Sequence, residues 1–535
     1  MKKVFLLAAV TAVGMPSVMA EVPAPVELDN AFLYAMSPNG KYAVSSNSFG
    51  IKIYDLANGQ EYEYFDETGM SMVSCGIGSC VSDNGIVLGS TNDELAQYWK
   101  DGEWYDLPLP SSVTGVCLSN AITPDASRIC GNIGLNPLTL DGDALMQVPA
   151  VWNATADGYS MPIILPYPEK DFTGRVPQYV TAVDMSADGK VIVGQVTNAT
   201  GMINYPIIYK EAADGTWSYE IVDEASLIPE GVTFGTYPGD GPTRPQPEEF
   251  MSAEEEEEYN AAYQAWIDSG YQNDLFPEAV DYMTEEETAE YEAAMAAFNE
   301  EYMVWEAAYY AWFDALEQCL DRIPQFLFNS MKMGPDGKYF GGTVTVEEPS
   351  DDWWNAKAYI HTWIADVETM KYTKYNQQDD LNLTYLGNNG VGLASTSVYT
   401  SSQSWVLEHG VPQTMYYWMY SKCPEYAVYM KDNMTFAYED FDMETGEITE
   451  VEELMSGRAV STPNLEVMGL TVQNIWDYMT DGEAFIFNVA EASAVNGIEA
   501  DNNGETVIYD LQGRKLNNAE APGIYIINGE KKVVR

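Results

Sequence analysis

Along most of this chain apolar and polar residues alternate in short runs, and one recurring kind of turn separates the runs. Ser37-Pro38-Asn39-Gly40-Lys41-Tyr42 precedes Ala43-Val44, and Ser82-Asp83-Asn84-Gly85 precedes Ile86-Val87-Leu88-Gly89. Thr123-Pro124-Asp125 leads to Ile129-Cys130-Gly131, Ser186-Ala187-Asp188-Gly189 to Val191-Ile192-Val193-Gly194, and Gly334-Pro335-Asp336-Gly337 to Tyr339-Phe340-Gly341-Gly342. Gly387-Asn388-Asn389-Gly390 and Ser461-Thr462-Pro463-Asn464 are weaker copies. Asn-Gly and Asp-Gly supply the positive φ of a tight hairpin, and the alternation on either side predicts half-buried strands. Seven copies, spaced by tens of residues, predict one supersecondary unit used seven times.

Most copies are followed by a second strand pair. Tyr98-Trp99-Lys100, the turn Asp101-Gly102 and Trp104-Tyr105 follow the second; Ser404-Trp405-Val406, His409-Gly410 and Tyr416-Tyr417-Trp418 follow the sixth. One unit is then four antiparallel strands, a to d, which is the blade of a β-propeller. The last copy stops at its third strand, residues 484–489, while residues 23–29 form an orphan strand before the first copy. Pairing the two would close the ring and remove its exposed edges. The expected fold is mainly β, a seven-bladed propeller.

The spacing jumps between copies four and five because residues 247–323 read as helix. Ser252-Ala253-Glu254-Glu255 and Thr284-Glu285-Glu286-Glu287 are capping boxes. Tyr291, Met295, Phe298, Tyr302, Trp305, Tyr309, Trp312 and Leu316 step by four and three, a heptad seam. This predicts an acidic helical hairpin, inserted between complete blades, whose aromatic seam packs on itself.

Residues 1–20 combine a basic start, an apolar stretch too short to span a bilayer and small residues before Glu21, and read as a cleaved secretory signal. The expected organisation is this signal, blades one to four with the closing strand at 21–246, the insertion at 247–323, blades five to seven at 324–494, and a small β tail at 495–535. The formal charge of −57 argues against nucleic-acid binding, suits solubility and leaves room for Ca²⁺ or cationic partners. No other apolar run is long enough for a membrane span. Six cysteines in an exported chain permit disulfides, with Cys75/Cys80 and Cys117/Cys130 the near pairs, or remain as free buried thiols.

In the tail, Thr506-Val507-Ile508-Tyr509-Asp510-Leu511-Gln512-Gly513-Arg514-Lys515-Leu516 and Ala521-Pro522-Gly523-Ile524-Tyr525-Ile526-Ile527, with the closing Lys531-Lys532-Val533-Val534, are strand pairs. This stretch resembles the C-terminal sorting domain of the Por-type (type IX) secretion route, without the earlier strands of the full module. The resemblance implies export machinery as a partner. The repeated turn likewise resembles extracellular propeller repeats of the Ser-x-Asp-Gly type, which implies a fold and no activity.

Motifs for catalysis are sparse. His361 and His409 are the two histidines; the first falls in a strand and the second in a turn. Metalloprotease, P-loop and nucleophile-elbow motifs are missing. No catalytic residue, metal ligand or cofactor is assigned. Strand alternation places the long b–c loops and the helical insertion on one face, where binding usually resides. There Asp351, Asp352, Trp353 and Trp354 are the candidate ligand residues: the aromatics to stack on a sugar or clamp a peptide, the carboxylates to accept hydrogen bonds. The expected function is a binding or interaction module, secreted or displayed on the outer cell surface or held in the periplasm, for an extracellular glycan or protein ligand. Two other classes stay open, a carboxylate-based glycan hydrolase or lyase and a structural part of a surface assembly.

Overall fold

A computed structural model of the chain describes residues 22–29, 31–47, 50–65, 74–111, 113, 115–135, 145–222, 227–269, 276–320, 324–347, 358–377, 380–396, 403–441, 448–472, 482–490 and 492, apart from 91–95, and in the tail 508–509, 515–516, 523–527 and 530–534. The signal-like residues 1–20 and the candidate residues Asp351, Asp352, Trp353 and Trp354 lie outside these described residues.

The chain is mainly β, and its strands pair as the turns dictate. Unit 1 runs Leu33–Met36, Tyr42–Asn47, Gly50–Asp55 and Gln60–Phe65, each strand antiparallel to the next. Unit 2 has Ser74–Cys75, Val87–Ser90, Ala96–Lys100 and Glu103–Asp106. Unit 3 has Gly115–Ile122, Arg128–Gly134, Gln147–Thr155 and Ile163–Ile164. In unit 4 the first strand is split into Tyr179–Val180 and Asp184–Met185, followed by Val191–Thr197, Asn204–Glu211 and Trp217–Ile221. A single parallel pair, Gln147 with Tyr179, joins units 3 and 4. Unit 5 repeats the split strand, Gln325–Phe326 and Lys332–Met333, before Tyr339–Glu347, Ala358–Asp366 and Tyr372–Tyr375. Unit 6 has Leu381–Leu386, Gly392–Thr396, Ser404–Glu408 and Val411–Thr414. Unit 7 has Ala459–Ser461, Val467–Val472 and Glu483–Asn488, and its fourth strand is the N-terminal Val26–Leu28, with Val26 opposite Ile486.

The first strand of each unit touches its neighbours, from unit 3 through units 4, 5, 6 and 7 to unit 1, and units 1, 2 and 3 complete the cycle through adjacent strands. The apolar core lies between the sheets: Leu33, Ala43 and Tyr54 of unit 1 pack on Val460, Ala484 and Ile486 of unit 7. The Val-x-Gly phrase has its reason here. A Cβ on Gly194 would stand 1.8 Å from the Thr181 carbonyl oxygen, so the inner strand crosses where only glycine leaves room.

The recurring turns do more than reverse the chain. Ser37 Oγ donates to Asn39 Oδ1 at 2.8 Å and accepts from the Tyr42 amide at 3.0 Å, which fixes the loop from within. Five pairs of neighbouring turns are also hydrogen-bonded to each other. The Asn39 amide donates to Asp83 Oδ1 (2.7 Å), the Asp83 amide to Pro124 O (2.8 Å), and the Ala187 amide to Pro335 O (2.8 Å). The Asn389 amide donates to Asp336 Oδ2 (2.9 Å) and the Asn388 amide to Pro463 O (2.8 Å). The motif is thus a belt on one face of the cycle.

Between units 4 and 5 lie α1 (Ala253–Asp268) and α2 (Glu285–Leu320), and both capping boxes form: the Ser252 amide donates to Glu255 Oε2 and the Thr284 amide to Glu287 Oε2, each at 2.8 Å. The self-packed seam does not. No residue of α1 is buried, and its Tyr259 and Trp266 meet Tyr282 and Phe276 instead. In α2 only Trp312, Ala315, Leu316 and Cys319 are buried. Trp312, Leu316 and Cys319 join Val180, Tyr205 and Ile207 in the core of unit 4, which offers the apolar floor that α1 lacks. Higher up, Trp305 Nε1 donates to Gly239 O at 2.8 Å. No helix among the described residues is long and apolar enough to cross a membrane. The tail is a four-stranded sheet ordered Lys515–Leu516, Ile508–Tyr509, Gly523–Ile527, Glu530–Val534.

Candidate functional site

Unit 6 does not pass directly to unit 7. Tyr416, Tyr417 and Trp418, expected to extend the fourth strand, instead belong to helix α3 (Met415–Lys422), followed by α4 (Pro424–Asn433) and a hairpin, Thr435–Phe441 with Ile448–Leu454. Met415, Trp418 and Met419 are the reason: spaced by three and four, they fall on one helical face and bury together. With Tyr426 and Met430 of α4 they pack on Met468, Phe485 and Phe487 of unit 7.

This addition walls a groove of about 510 Å³. Gln403 and Ser404 at the start of the third strand of unit 6 and Ser456 just before unit 7 form its base. Tyr416 and Tyr417 form one side, ring centroids 5.4 Å apart and nearly perpendicular. Lys431, Thr435 and Glu452 form the other. Ser404 Oγ donates to the Ser456 and Gly457 carbonyls, and the Ser404 amide donates to Ser456 Oγ at 3.0 Å, so the base is rigid. Thr435 lies opposite Leu454 in the hairpin and Ala437 opposite Glu452, which turns Thr435 and Glu452 to one side. Among the described residues Lys431 has no ion-pair partner, and Tyr417 is 64% exposed. A charged amine, a carboxylate, two phenol rings and several hydroxyls therefore face one open space.

The groove opens at the end of unit 6 opposite its His409-Gly410 turn. That is the end from which the b–c connections and the crossings between units emerge, including the crossing that carries α1 and α2. The belt of turns lies on the other face. His361 is buried in its strand with its ring along Tyr359, and His409 is exposed at φ 51° beside Glu408, so neither joins a nucleophile. Among the described residues no group of three or more His, Cys, Asp and Glu could hold a metal ion. All six cysteines are free and buried. Sequence reading missed the groove because Tyr416 and Tyr417 were expected in a strand of the sixth repeat, while Lys431 and Glu452 belong to no repeat; the signal available was the i, i+3, i+4 spacing of Met415, Trp418 and Met419.

A second polar cluster lies where the first strands meet. The Asp184 carboxylate accepts from the Ser79 amide (2.9 Å) and the Met185 amide (3.0 Å) on one oxygen and from the Met333 amide (2.9 Å) on the other. The buried Lys332 ammonium donates to the Ile77 carbonyl. Burial pushes the Lys332 amine down to about 8, against the attraction of Asp184, and Arg458 adds to the depression. Burial likewise raises the Asp184 carboxyl, opposed by Lys332 and its amide donors. The cluster ties units 2, 4 and 5 together.

No protein-family model matches the chain, and no curated protein matches it. Among solved structures it is similar to the Cps50 (Swd1) β-propeller domain of Myceliophteria thermophila, with 9% identity, a TM-score of 0.35, and 87% of this chain and 99% of that one covered. A prolyl endopeptidase structure has 10% identity and a TM-score of 0.38, covering 95% of this chain and 54% of that one. The tricorn protease has 11% identity and a TM-score of 0.34, covering 71% of this chain and 30% of that one. At similarity this slight, the architecture rests on the strand pairing.

Proposed function

We propose that the protein is a seven-bladed β-propeller that binds an extracellular glycan or peptide on the face bearing the long connections. The observation that carries this reading is the groove between α3, α4 and unit 6, an open space with two aromatic rings, the Lys431 ammonium and the Glu452 carboxylate around a hydrogen-bonded base. The closed cycle of four-stranded sheets, completed by the N-terminal strand, supports the propeller. The signal-like start and the sorting-type tail support a secreted or surface address. The second strand of unit 5 ends at Glu347 and the third begins at Ala358, and the proposal extends to Asp351, Asp352, Trp353 and Trp354, which lie between them in sequence, as further ligand contacts.

Hydrolysis of a glycoside needs two carboxylates flanking the bond. Among the described residues lining the groove, Glu452 is the carboxylate present, which favours binding over catalysis. The test is a glycan and peptide array probed with the mature chain, then repeated with Tyr416→Ala/Tyr417→Ala and with Trp353→Ala/Trp354→Ala. Stacking contributes on the order of 1 kcal/mol per ring, so a ligand held in the groove loses roughly tenfold or more with the tyrosine pair removed. A bound ligand indifferent to both pairs overturns the assignment.

A further inference from the structure

The meeting point of the first strands holds more positive than negative charge. A cavity of about 30 Å³ there is lined by Tyr34 of unit 1, Ser79 of unit 2, Asp184 of unit 4, Lys332 of unit 5, Tyr385 of unit 6 and Arg458 before unit 7. Lys332 is 8% exposed and Asp184 2%. Asp184 already accepts three backbone amides, so its lone pairs are largely committed. Lys332 has three donors, one of them given to Ile77 O. The Arg458 guanidinium lies over the Tyr34 ring at 4.3 Å and donates from Nη2 to Tyr34 O at 3.4 Å, a long bond. Its Nε is buried with no hydrogen-bond partner among the described residues.

Among the described lining residues two cations, the buried Lys332 and the half-buried Arg458, face one carboxylate and leave a unit of positive charge, and unused N–H donors as well. An uncompensated buried charge is costly. A water would satisfy a donor and leave the charge. A cavity of this size holds at least one water, and so admits a monatomic ion such as chloride. We propose that this axial cavity is a halide site, holding one chloride between Lys332 and Arg458. The depressed basicity of Lys332 is the same electrostatic pressure seen from the proton's side: the cluster sheds a proton or takes an anion. Such an ion would join units 5 and 7 across the axis, where no backbone pairing links them. The inference is independent of the ligand groove.

Crystals of the full chain soaked in sodium bromide test it directly. A single anomalous peak at the bromine edge within this cavity is expected; a cavity filled without anomalous signal overturns the proposal. In solution, gluconate is exchanged for chloride at fixed ionic strength. The wild-type melting midpoint should climb steadily with the logarithm of chloride concentration, as for any ligand bound only by the folded state. Lys332→Met and Arg458→Gln should lose that slope whatever their absolute midpoints. Equal slopes in the variants, or none in the wild type, would refute the site. Should neither variant fold, the bromide peak in the wild-type crystal decides.

Discussion

Arg128 of unit 3 grips Glu211 of unit 4 through two nitrogens, Nη1 to Oε2 at 2.8 Å and Nη2 to Oε1 at 3.2 Å. The same guanidinium donates to Gly189 O (2.9 Å) in the turn of unit 4 and to Asn153 Oδ1 (3.0 Å) in its own unit. Both side chains are largely buried, 18% and 14% exposed. Removing one partner strands the other charge, so Glu211→Met or Arg128→Met should cost roughly 2–3 kcal/mol, somewhat under the range for a fully buried pair. The double variant Arg128→Met/Glu211→Met should lose less than either single one. Urea titrations of the three read this out, and additive losses would show that the pair acts through packing.

The helical arm should divide into a part the fold needs and a part it does not. Trp312 is 2% exposed and packs on Tyr237 at 5.1 Å, whereas Met303, nine residues earlier, is 65% exposed. Trp312→Ala should cost about 3–5 kcal/mol, and Met303→Ala under 0.5 kcal/mol. By the same reasoning, joining Gly241 to Pro324 through a short linker should abolish the cooperative melt, because it removes Leu316 and Cys319 with the rest. A deletion that folds normally would place the root of α2 outside the core.

Turn chemistry offers a stabilising substitution. Gly40, Gly189 and Gly337 sit at φ 69°, 68° and 69°, and the equivalent position in unit 3 is Ala126 at φ 59°. An L-residue pays roughly 1–2 kcal/mol in this region. Ala126→Gly should therefore raise stability by about 0.5–1 kcal/mol after the extra chain entropy of glycine is counted. Gly40→Ala should do the opposite, and more strongly, since its Cβ would also press within 3.1 Å of Val467. Thermal midpoints measured side by side check both signs.

Alkaline pH should report on Lys332, which faces Asp184, Arg458 and Cys80. Its amine falls from an ordinary 10.5 to about 8 on folding. Between those values the unfolded chain binds more protons, so this group's contribution to stability rises with pH; below 8 the penalty is full. Burial raises Cys75 and Tyr34, whose contributions are lost above their unfolded pKa values near 9 and 10. The useful quantity is the wild type minus Lys332→Met, followed in halide-free buffer from pH 7 to 9. It should stay flat to about 8 and then shift toward the wild type by at most about 1.4 kcal/mol per pH unit. A flat difference throughout would mean that Lys332 keeps its proton.

How far the chain could be read from its residues varied with the locality of the signal. Turns are local: Ser37, Asn39 and Gly40 carry their own hydrogen bonds and φ within four residues, so the repeats stood out. Val26–Leu28 was recognisable as the partner of the last unit because a four-strand unit one strand short demands a donor. The α2 seam was visible, but not what it packs on, since the floor under Trp312 is built from Val180 and Tyr205, more than a hundred residues earlier. Asp184, Lys332 and Arg458 were invisible as a cluster, each a lone polar residue in a different repeat. Lys332 between Met331 and Met333 and Asp184 between Val183 and Met185 were the local hints, charges where an inner strand should be apolar.

The pairing of Val26 with Ile486 also sets a timetable. A strand made among the first residues has no partner until nearly all of the chain has been synthesised. At about 5–20 residues per second, that wait lasts on the order of half a minute to a minute and a half. Until then units 1 to 6 form an open stack with an unpaired edge at each end, and the last contacts made span almost the whole chain. Loss of the C-terminal strands, by truncation or stalled synthesis, would therefore be felt at the N-terminus, where Val26–Leu28 would be left without its partner.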